Sequence, residues 1–512
     1  MAAAHISLLR RLTPKGLFWR SLLILLIPLV LLQGVVAYIF FERHWDTVSR
    51  RLALGVTGDI IYVMRTMQKY PEDEFSEWTL RAAHREMQIN AVFEPGVKLP
   101  AAAPKLSSRN ADRMLQHALS ERLVKAGYEV RVCTSEIYRD KFAKRGVDFY
   151  AVGVPFDQDR LDRAMDAIIQ VKNPLKSSIF IAKEGILYKA EKWYRDCFEG
   201  MAGHDLAICH SADIPGQEAA IKHNLPWITV SYCPGFFKTA YQAPAPLSNF
   251  GAPVNILLWK LVEWLMRKQV DPVFNDFITA IGGHKRELIG LEGMYSPELN
   301  LIAASPNISK PPPDLPDRHK FTGVWFLEEP DYEAPPALQE FLNQGSPPVI
   351  VSFGSMGGTK SVETTKILVE AIQRAGQRAI IQSGWGKLEL DKRPQKTLFV
   401  GYVPHDFLFC QGACVIHHGG AGTTAAACRA GVPSVIIPHL GDQWYWGNTL
   451  YKYGIAPKPL HRQDMTAKRL VKCIGTVSAS ASMADKAKVL GQQVGEEDGL
   501  NTAVKLIEAF AR

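Results

Sequence analysis

Val415 to Gly447, VIHHGGAGTTAAACRAGVPSVIIPHLGDQWYWG, carries the clearest structural and chemical pattern of the chain. The run Cys414 to Ile416 is short and apolar, as suits a parallel strand buried on both faces, and His417, His418, Gly419, Gly420 and Gly422 follow where that strand ends. A helix opens next. Glycines let a diphosphate approach the backbone, and N–H groups at Gly422, Thr423 and Thr424 meet it with the positive end of the helix dipole. Gly431 and Pro433 end that helix, Ser434 to Ile437 form the next strand, and Asp442 and Gln443 fall just beyond it. A carboxylate beside an amide at a strand end is equipped to hold a pair of sugar hydroxyls, so the stretch reads as a nucleotide-sugar site.

A second reading uses the same glycines. Gly420, Gly422 and Ala425 fit the GxGxxA dinucleotide fingerprint, with Asp442 about 20 residues on as its ribose carboxylate, which would make the chain an NAD-dependent dehydrogenase. Against it, that fingerprint opens its domain, whereas three strand-like runs precede it here: Val349 to Phe353, Arg378 to Gln382 and Leu398 to Gly401. It also leaves the paired histidines and Gln443 without a role.

From Pro348 to Leu450 the motifs VSFGSM, IIQSGW, VPHDFLF, HHGGAGTT, RAGVPSVIIP and GDQWYWG occur in an order and spacing that resemble the donor domain of the sterol glucosyltransferase-like UDP-glycosyltransferases. The likeness continues more weakly through Gly127 to Val154, Asp205 to Tyr232, and FTGVWFL at Phe321 to Leu327. It implies an α/β architecture, the GT-B fold of two Rossmann-like domains. It implies inverting, metal-independent transfer of a hexose, glucose foremost, from a UDP-sugar to a hydroxyl of a lipophilic acceptor such as a sterol. The UDP-sugar is a co-substrate, and neither a resident cofactor nor a metal is expected. By the same resemblance Ser355, His417, His418 and the backbone of Gly422 to Thr424 hold the diphosphate, Trp385 and Val403 occupy uracil-pocket positions, and Asp442 and Gln443 orient the sugar.

Composition agrees. The 512 residues, 47% of them hydrophobic, allow two α/β domains and an extra segment. A net charge of +8, spread along the chain, points away from nucleic acid and toward a weak preference for anionic membrane surface. The eight cysteines form no CxxC and read as reduced thiols. Asp157, Gln158 and Asp159 form a DxD, but they precede a helical stretch, Arg160 to Val171, and suit its N-terminal cap better than a metal ion.

The N-terminus is of another kind. Leu22 to Phe41 is 20 residues without a charge, long enough to cross ~30 Å of hydrocarbon, with Trp19 and Tyr38 at interface depth. The surrounding LTPKGLFWRSLLILLIPLVLLQGVVAYIFFERHWDTVSRRLALGVTGDI resembles the first membrane helix and sensor-domain start of bacterial osmosensor-type histidine kinases, to about Pro104. No phosphoacceptor box or ATP-binding region follows, so kinase activity is not implied. A single-pass protein of a bacterial inner membrane, with its catalytic region cytoplasmic, is the expectation.

The expected organisation is therefore 1–104, membrane helix and sensor-like segment; 105–328, an incomplete acceptor-side domain; 329–347, a proline-rich linker; 348–490, the donor domain; and 491–512, a helical end that crosses back onto the first domain. The first domain is incomplete because Ala111 to Ala126 reads as a helix feeding the strand Tyr128 to Cys133, yet KLPAAAPKLSSRN, Lys98 to Asn110, stands where the family has a first strand and glycine-rich loop carrying its catalytic base. The catalytic residue is thus unassigned. Asp112 falls near the expected place but also suits the helix dipole, and His210, at the end of the strand Leu206 to Cys209, is a substitute base or a structural histidine. A catalytically impaired fusion that binds nucleotide-sugar, or a membrane sensor remnant, is the rival reading. Val254 to Met266 carries Lys260 and Glu263 at helical spacing among its Leu and Trp positions, either a packed helix or a lipid-facing entrance.

Overall fold

The computed structural model describes residues 110–143, 147–171, 173–244, 247, 249–327, 332–354, 361–384, 388, 390 and 394–511, with backbone alone at 110–117 and 174. The chain divides into two units, Met1–Ala103 and Pro104–Arg512, and every described residue lies in the second. The apolar run 22–41, the linker 98–109, Ser355 and Trp385 lie outside the described residues. Among those described, no helix is long and apolar enough to cross a membrane.

The first half begins with helix α1, Asn110–Lys125, closed by Gly127 at φ 94°. Strands β1, Arg131–Thr134, and β2, Asp148–Ala151, pair in parallel with Arg131 opposite Asp148. Helix α2, Gln158–Gln170, starts at Asp157, whose carboxylate accepts from Arg160 N–H at 2.9 Å. The DxD stretch therefore begins as a helix cap. Helix α3, Ala190–Gly200, leads to strand β3, Ala207–His210, helix α4, Ile214–Lys222, and strand β4, Trp227–Ser231. The long helix α5, Ala252–Gln269, precedes β5, Leu299–Ile302, and β6, His319–Phe321. Strands β3-β4-β5-β6 form one parallel sheet in that order, and β1-β2 stand as a separate pair. The two groups share helix α3, whose Gly200 lies so near β1 that an added Cβ would fall 2.8 Å from Cys133 Sγ.

The second half is a five-stranded parallel sheet in the order β11-β10-β7-β8-β9. Its strands are β7, Val349–Ser352, β8, Ala379–Gln382, β9, Thr397–Val400, β10, Cys414–His417, and β11, Ser434–Ile436. Every residue of β7, β8, β10 and β11 is buried, which is why these strands read as unbroken apolar runs and not as alternating ones. Helix α6, Ser361–Arg374, joins β7 to β8, helix α7, Ala421–Arg429, joins β10 to β11, and helix α8, Gln443–Tyr453, follows β11.

After α9, Ala481–Gly495, the final helix α10, Gly499–Ala511, returns to the first half: Ala503, Val504 and Ile507 join Leu119 and Leu123 of α1 in one core with Ile228 and Leu301. The two halves also share an apolar core in which Phe237, Ile302 and Ala304 meet Tyr445, Trp446 and Leu490. They are held against one another by hydrophobic burial, with a narrow opening left between the strand ends.

Candidate functional site

Strand order determines where a ligand enters. The chain runs outward through β7, β8 and β9, then crosses back to β10 on the other side of β7, so the sheet reverses direction between β7 and β10. In open parallel sheets such a switch point leaves a crevice at the strands' carboxyl ends. Gly354 follows β7 at φ 55° and Gly419 follows β10 at φ 89°, both in the left-handed region, so each loop turns away sharply to open that crevice.

Helix α7 starts directly on the second loop. Its first bond closes from Thr424 N–H to Gly420 C=O at 2.9 Å, so the N–H groups left without a helical carbonyl are those of Ala421, Gly422 and Thr423. This corrects the sequence expectation by one residue: Thr424 N–H is spent within the helix and Ala421 takes its place. The Thr424 hydroxyl is buried without a hydrogen-bond partner beside them. Across the opening lie Ala303, Ser305 and Val324 of the first half, facing Ala421, Gly422 and Trp446. Their small side chains let the helix end approach the strand ends.

His417 is fully buried, and its Nδ1 accepts from Gly419 N–H at 3.1 Å. That bond places the proton on Nε2, which is buried without a partner among the described residues and ready to donate. Burial holds the His417 and His439 imidazoles well below the usual range and His418 down to about 4, so the three are neutral. A diphosphate here meets hydrogen-bond donors and a helix dipole, with no cationic imidazole.

His418 also packs, since its ring lies against Gly354 and Gly420. Val403 is buried, and its carbonyl accepts from Gln382 Nε2 at 2.8 Å. The Gln382 Oε1 in turn accepts from Ser352 Oγ at 2.8 Å and lies 3.2 Å from His405 Nε2. Ser352, Gln382 and His405 thus clamp the loop that bears Val403, and sequence reasoning missed all three. The available signal was a polar residue closing each apolar strand in VSFGSM and IIQSGW, and the histidine of VPHDFLF.

Asp442, half buried, precedes α8 without capping it through its side chain. Gln443 is buried, and its Oε1 accepts from both His439 N–H at 2.7 Å and Leu440 N–H at 3.2 Å. The amide oxygen of Gln443 therefore ties the β11–α8 loop.

The two candidate bases fare differently. Asp112 sits in the first turn of α1, where only its backbone is described. His210 ends β3, its Nδ1 accepting from Ala212 N–H at 3.1 Å and its ring stacked on Tyr232 at 4.9 Å. Its neighbour Asp213 is pushed up to about 6 by burial, but its carboxylate caps α4 through Gly216 N–H. Among the described residues no cluster of metal-ligating side chains occurs.

Comparison with known proteins bears on this geometry. Residues 376–504 match the family described as erythromycin biosynthesis protein CIII-like, C-terminal domain. The chain is 28% identical over 417 residues to a sterol 3-beta-glucosyltransferase of Arabidopsis thaliana, with 76% of this chain and 62% of that protein covered. It is 27% identical to a sterol 3-beta-glucosyltransferase of Saccharomyces cerevisiae, with 76% of this chain and 33% of that protein covered. Among solved structures it is similar to the calicheamicin glycosyltransferase CalG4, at TM-score 0.56 and 16% identity over 77% of this chain and 94% of that one. The spinosyn rhamnosyltransferase SpnG, complexed with thymidine diphosphate, is similar at TM-score 0.51 and 16% identity over 77% of this chain and 96% of that one. The fold is the GT-B glycosyltransferase fold, built on parallel sheets.

Proposed function

We propose that the chain is an inverting, metal-independent glycosyltransferase that moves a hexose from a UDP-sugar to a hydroxyl of a lipophilic acceptor such as a sterol. The observation that carries this reading is the start of α7 at the switch point of a parallel sheet: three backbone N–H groups have no helical carbonyl there, Ala421 and Gly422 line the opening to the other half, and at the end of β10 His417 Nε2 is buried without a partner among the described residues. These donors offset the charge that grows on the leaving diphosphate, the task a metal performs elsewhere. Asp442 and Gln443 orient the sugar. The likeness to sterol glucosyltransferases supports the acceptor class and the sugar, the run 22–41 supports a membrane anchor, and the need for a cytosolic UDP-sugar is the ground for a catalytic region on the cytosolic side of a bacterial inner membrane.

Purified full-length protein, radiolabelled UDP-glucose and mixed membrane lipids without divalent metal test the reading. Labelled lipid is the expected product. Binding that requires Mg²⁺, or a preference for NAD over UDP, overturns it. A second reading, a nucleotide-sugar binder impaired in catalysis, is favoured by the linker composition of Lys98 to Asn110, KLPAAAPKLSSRN, which holds no glycine-rich turn. UDP binding without turnover would distinguish it.

A further inference from the structure

Helix α5 is apolar on two opposite faces. One face is accounted for: Asn255, Trp259 and Met266 are buried, with Trp259 and Met266 packed among Ile214, Phe274 and Ile278. The other is in the open. Val254, Leu257, Leu261 and Trp264 recur at spacings of three and four, one continuous helical stripe. Leu257 is 67% exposed, Leu261 51% and Trp264 50%, so half or more of each side chain meets solvent. A helix apolar all round is ordinarily enclosed by protein. This one is not: one apolar face is packed and the other is exposed.

The stripe continues beyond the helix. Phe250, 62% exposed, and Leu247 and Tyr241, also exposed, lie on the preceding loop. That loop is fastened to the helix by Asn255, which donates to Ala240 C=O at 2.8 Å and accepts from Phe250 N–H at 3.3 Å, and by Trp259 Nε1, which donates to Gln242 C=O at 2.8 Å. The exposed apolar surface is therefore held in shape.

Its rim is basic. Lys260 and Lys268 are exposed, and the Lys268 ammonium lies 4.6 Å from the Trp264 ring centre. The acidic residue of the helix, Glu263, is neutralised by Lys238 at 2.7 Å, and Arg267 pairs with Glu287. A tryptophan and aliphatic stripe bordered by lysines with long apolar stems matches the boundary between acyl chains and phosphate headgroups. We propose that the exposed stripe of α5, with Phe250, docks on an anionic lipid bilayer, its lysines at the headgroups. A protein partner would more typically be met by a patch with few lysines at its centre and edge.

The segment entering this region begins beside the cleft, where a Cβ at Gly235 would fall 2.5 Å from Tyr445 of α8. Docking by α5 brings the cleft to the bilayer, which suits a lipophilic acceptor. That consequence rests on the proposed function, whereas the docking itself does not.

The test reads position without activity. Full-length protein carries Leu257→Cys on a Cys410→Ser background, labelled with an environment-sensitive fluorophore, and is placed in vesicles of phosphatidylcholine alone or with phosphatidylglycerol. Tyr451→Cys, on α8, is the control. Emission at position 257 is expected to shift to the blue and to be quenched by acyl-chain spin labels, more strongly with phosphatidylglycerol, while position 451 is not quenched. Lys260→Glu with Lys268→Glu is expected to shift the docking equilibrium about tenfold or more toward the undocked state. Absence of lipid quenching at position 257 overturns the proposal. A blue shift without lipid quenching overturns it too, since protein would then cover the face.

Discussion

The His418 imidazole occupies the space that a side chain at Gly420 would need: a Cβ there falls 2.4 Å from His418 Nε2. The crowding is a matter of space alone, because Gly420 has an ordinary φ of −63°. Gly420→Ala is expected to displace His418 and the start of α7 together and to lower UDP affinity by about tenfold or more, equivalent to ~1.4 kcal/mol or above. Calorimetric titration with UDP measures it, and undiminished affinity would show that the phosphate cradle lies elsewhere.

His417 gives a sharper contrast. Its Nε2 is buried without a partner among the described residues, so His417→Ala is expected to weaken UDP binding by ~1 to 3 kcal/mol through loss of a charge-assisted hydrogen bond. The titration should give the same result with and without EDTA. A parallel titration with thymidine diphosphate reports how tightly the Val403 region discriminates the base.

The adjacent pair Asp442 and Gln443 separate by their effects. Gln443→Ala leaves His439 N–H and Leu440 N–H without their acceptor, and a loss of ~2 to 3 kcal/mol in stability is expected from thermal or urea unfolding. Asp442→Ala leaves those bonds intact and is expected to weaken UDP-glucose binding more than UDP binding. Equal effects on both ligands would remove Asp442 from the sugar site.

Acid should destabilise the fold. His405 and His418 are lowered to about 4, and His417 and His439 are held well below the ordinary value, all chiefly by burial. As pH falls through the ordinary histidine range near 6.5, the unfolded chain takes up protons that the folded one refuses, so stability drops between about 6.5 and 4. Asp213, pushed up to about 6, acts oppositely between its ordinary 3.8 and that value, since there the folded form holds the proton more firmly. Several histidines outweigh one carboxylate. Urea midpoints are expected to decline from pH 7 to pH 5, with His418→Asn flattening the slope by an amount on the order of 3 kcal/mol at most. A rising midpoint would contradict this balance.

The donor half was legible because its strands are buried on both faces, with a glycine two residues beyond β7, β8 and β10: β7, β8, β10 and β11 lie within a residue or two of the apolar runs that announce them. The Ser352–Gln382–His405 clamp was not, since pairing between polar residues at different strand ends is a tertiary relationship that no local pattern records. The same holds for the Gln443 oxygen, which a sequence shows only as an amide next to an aspartate. The exposed side of α5 was half visible: its spacing could be counted, but which apolar face would find a partner depended on the packing of Trp259 and Met266.

The acceptor half leads to the last prediction. Inversion needs a base on the far side of the sugar from the leaving diphosphate, held within hydrogen-bond reach of the acceptor hydroxyl. In a parallel sheet such a group is aimed by the loop that follows a strand, and the sequence ahead of α1, KLPAAAPKLSSRN at Lys98 to Asn110, has linker composition without a glycine-rich turn. Asp112 is then delivered by a helix start alone, and His210 already uses Nδ1 to hold its own turn. Transfer by the chain is therefore expected to be slow. Replacing Glu94 to Ala111 with a strand and glycine-rich loop of the kind found in the resembling family is expected to raise the rate by ~10²-fold or more, with UDP affinity unchanged because the donor half is untouched. A fast unmodified chain would refute the argument from the missing loop. Asp112→Asn and His210→Ala would then identify the base, for the one that acts should lose ~10²- to 10⁴-fold in turnover and shift the pH–rate profile, while the other leaves both unchanged.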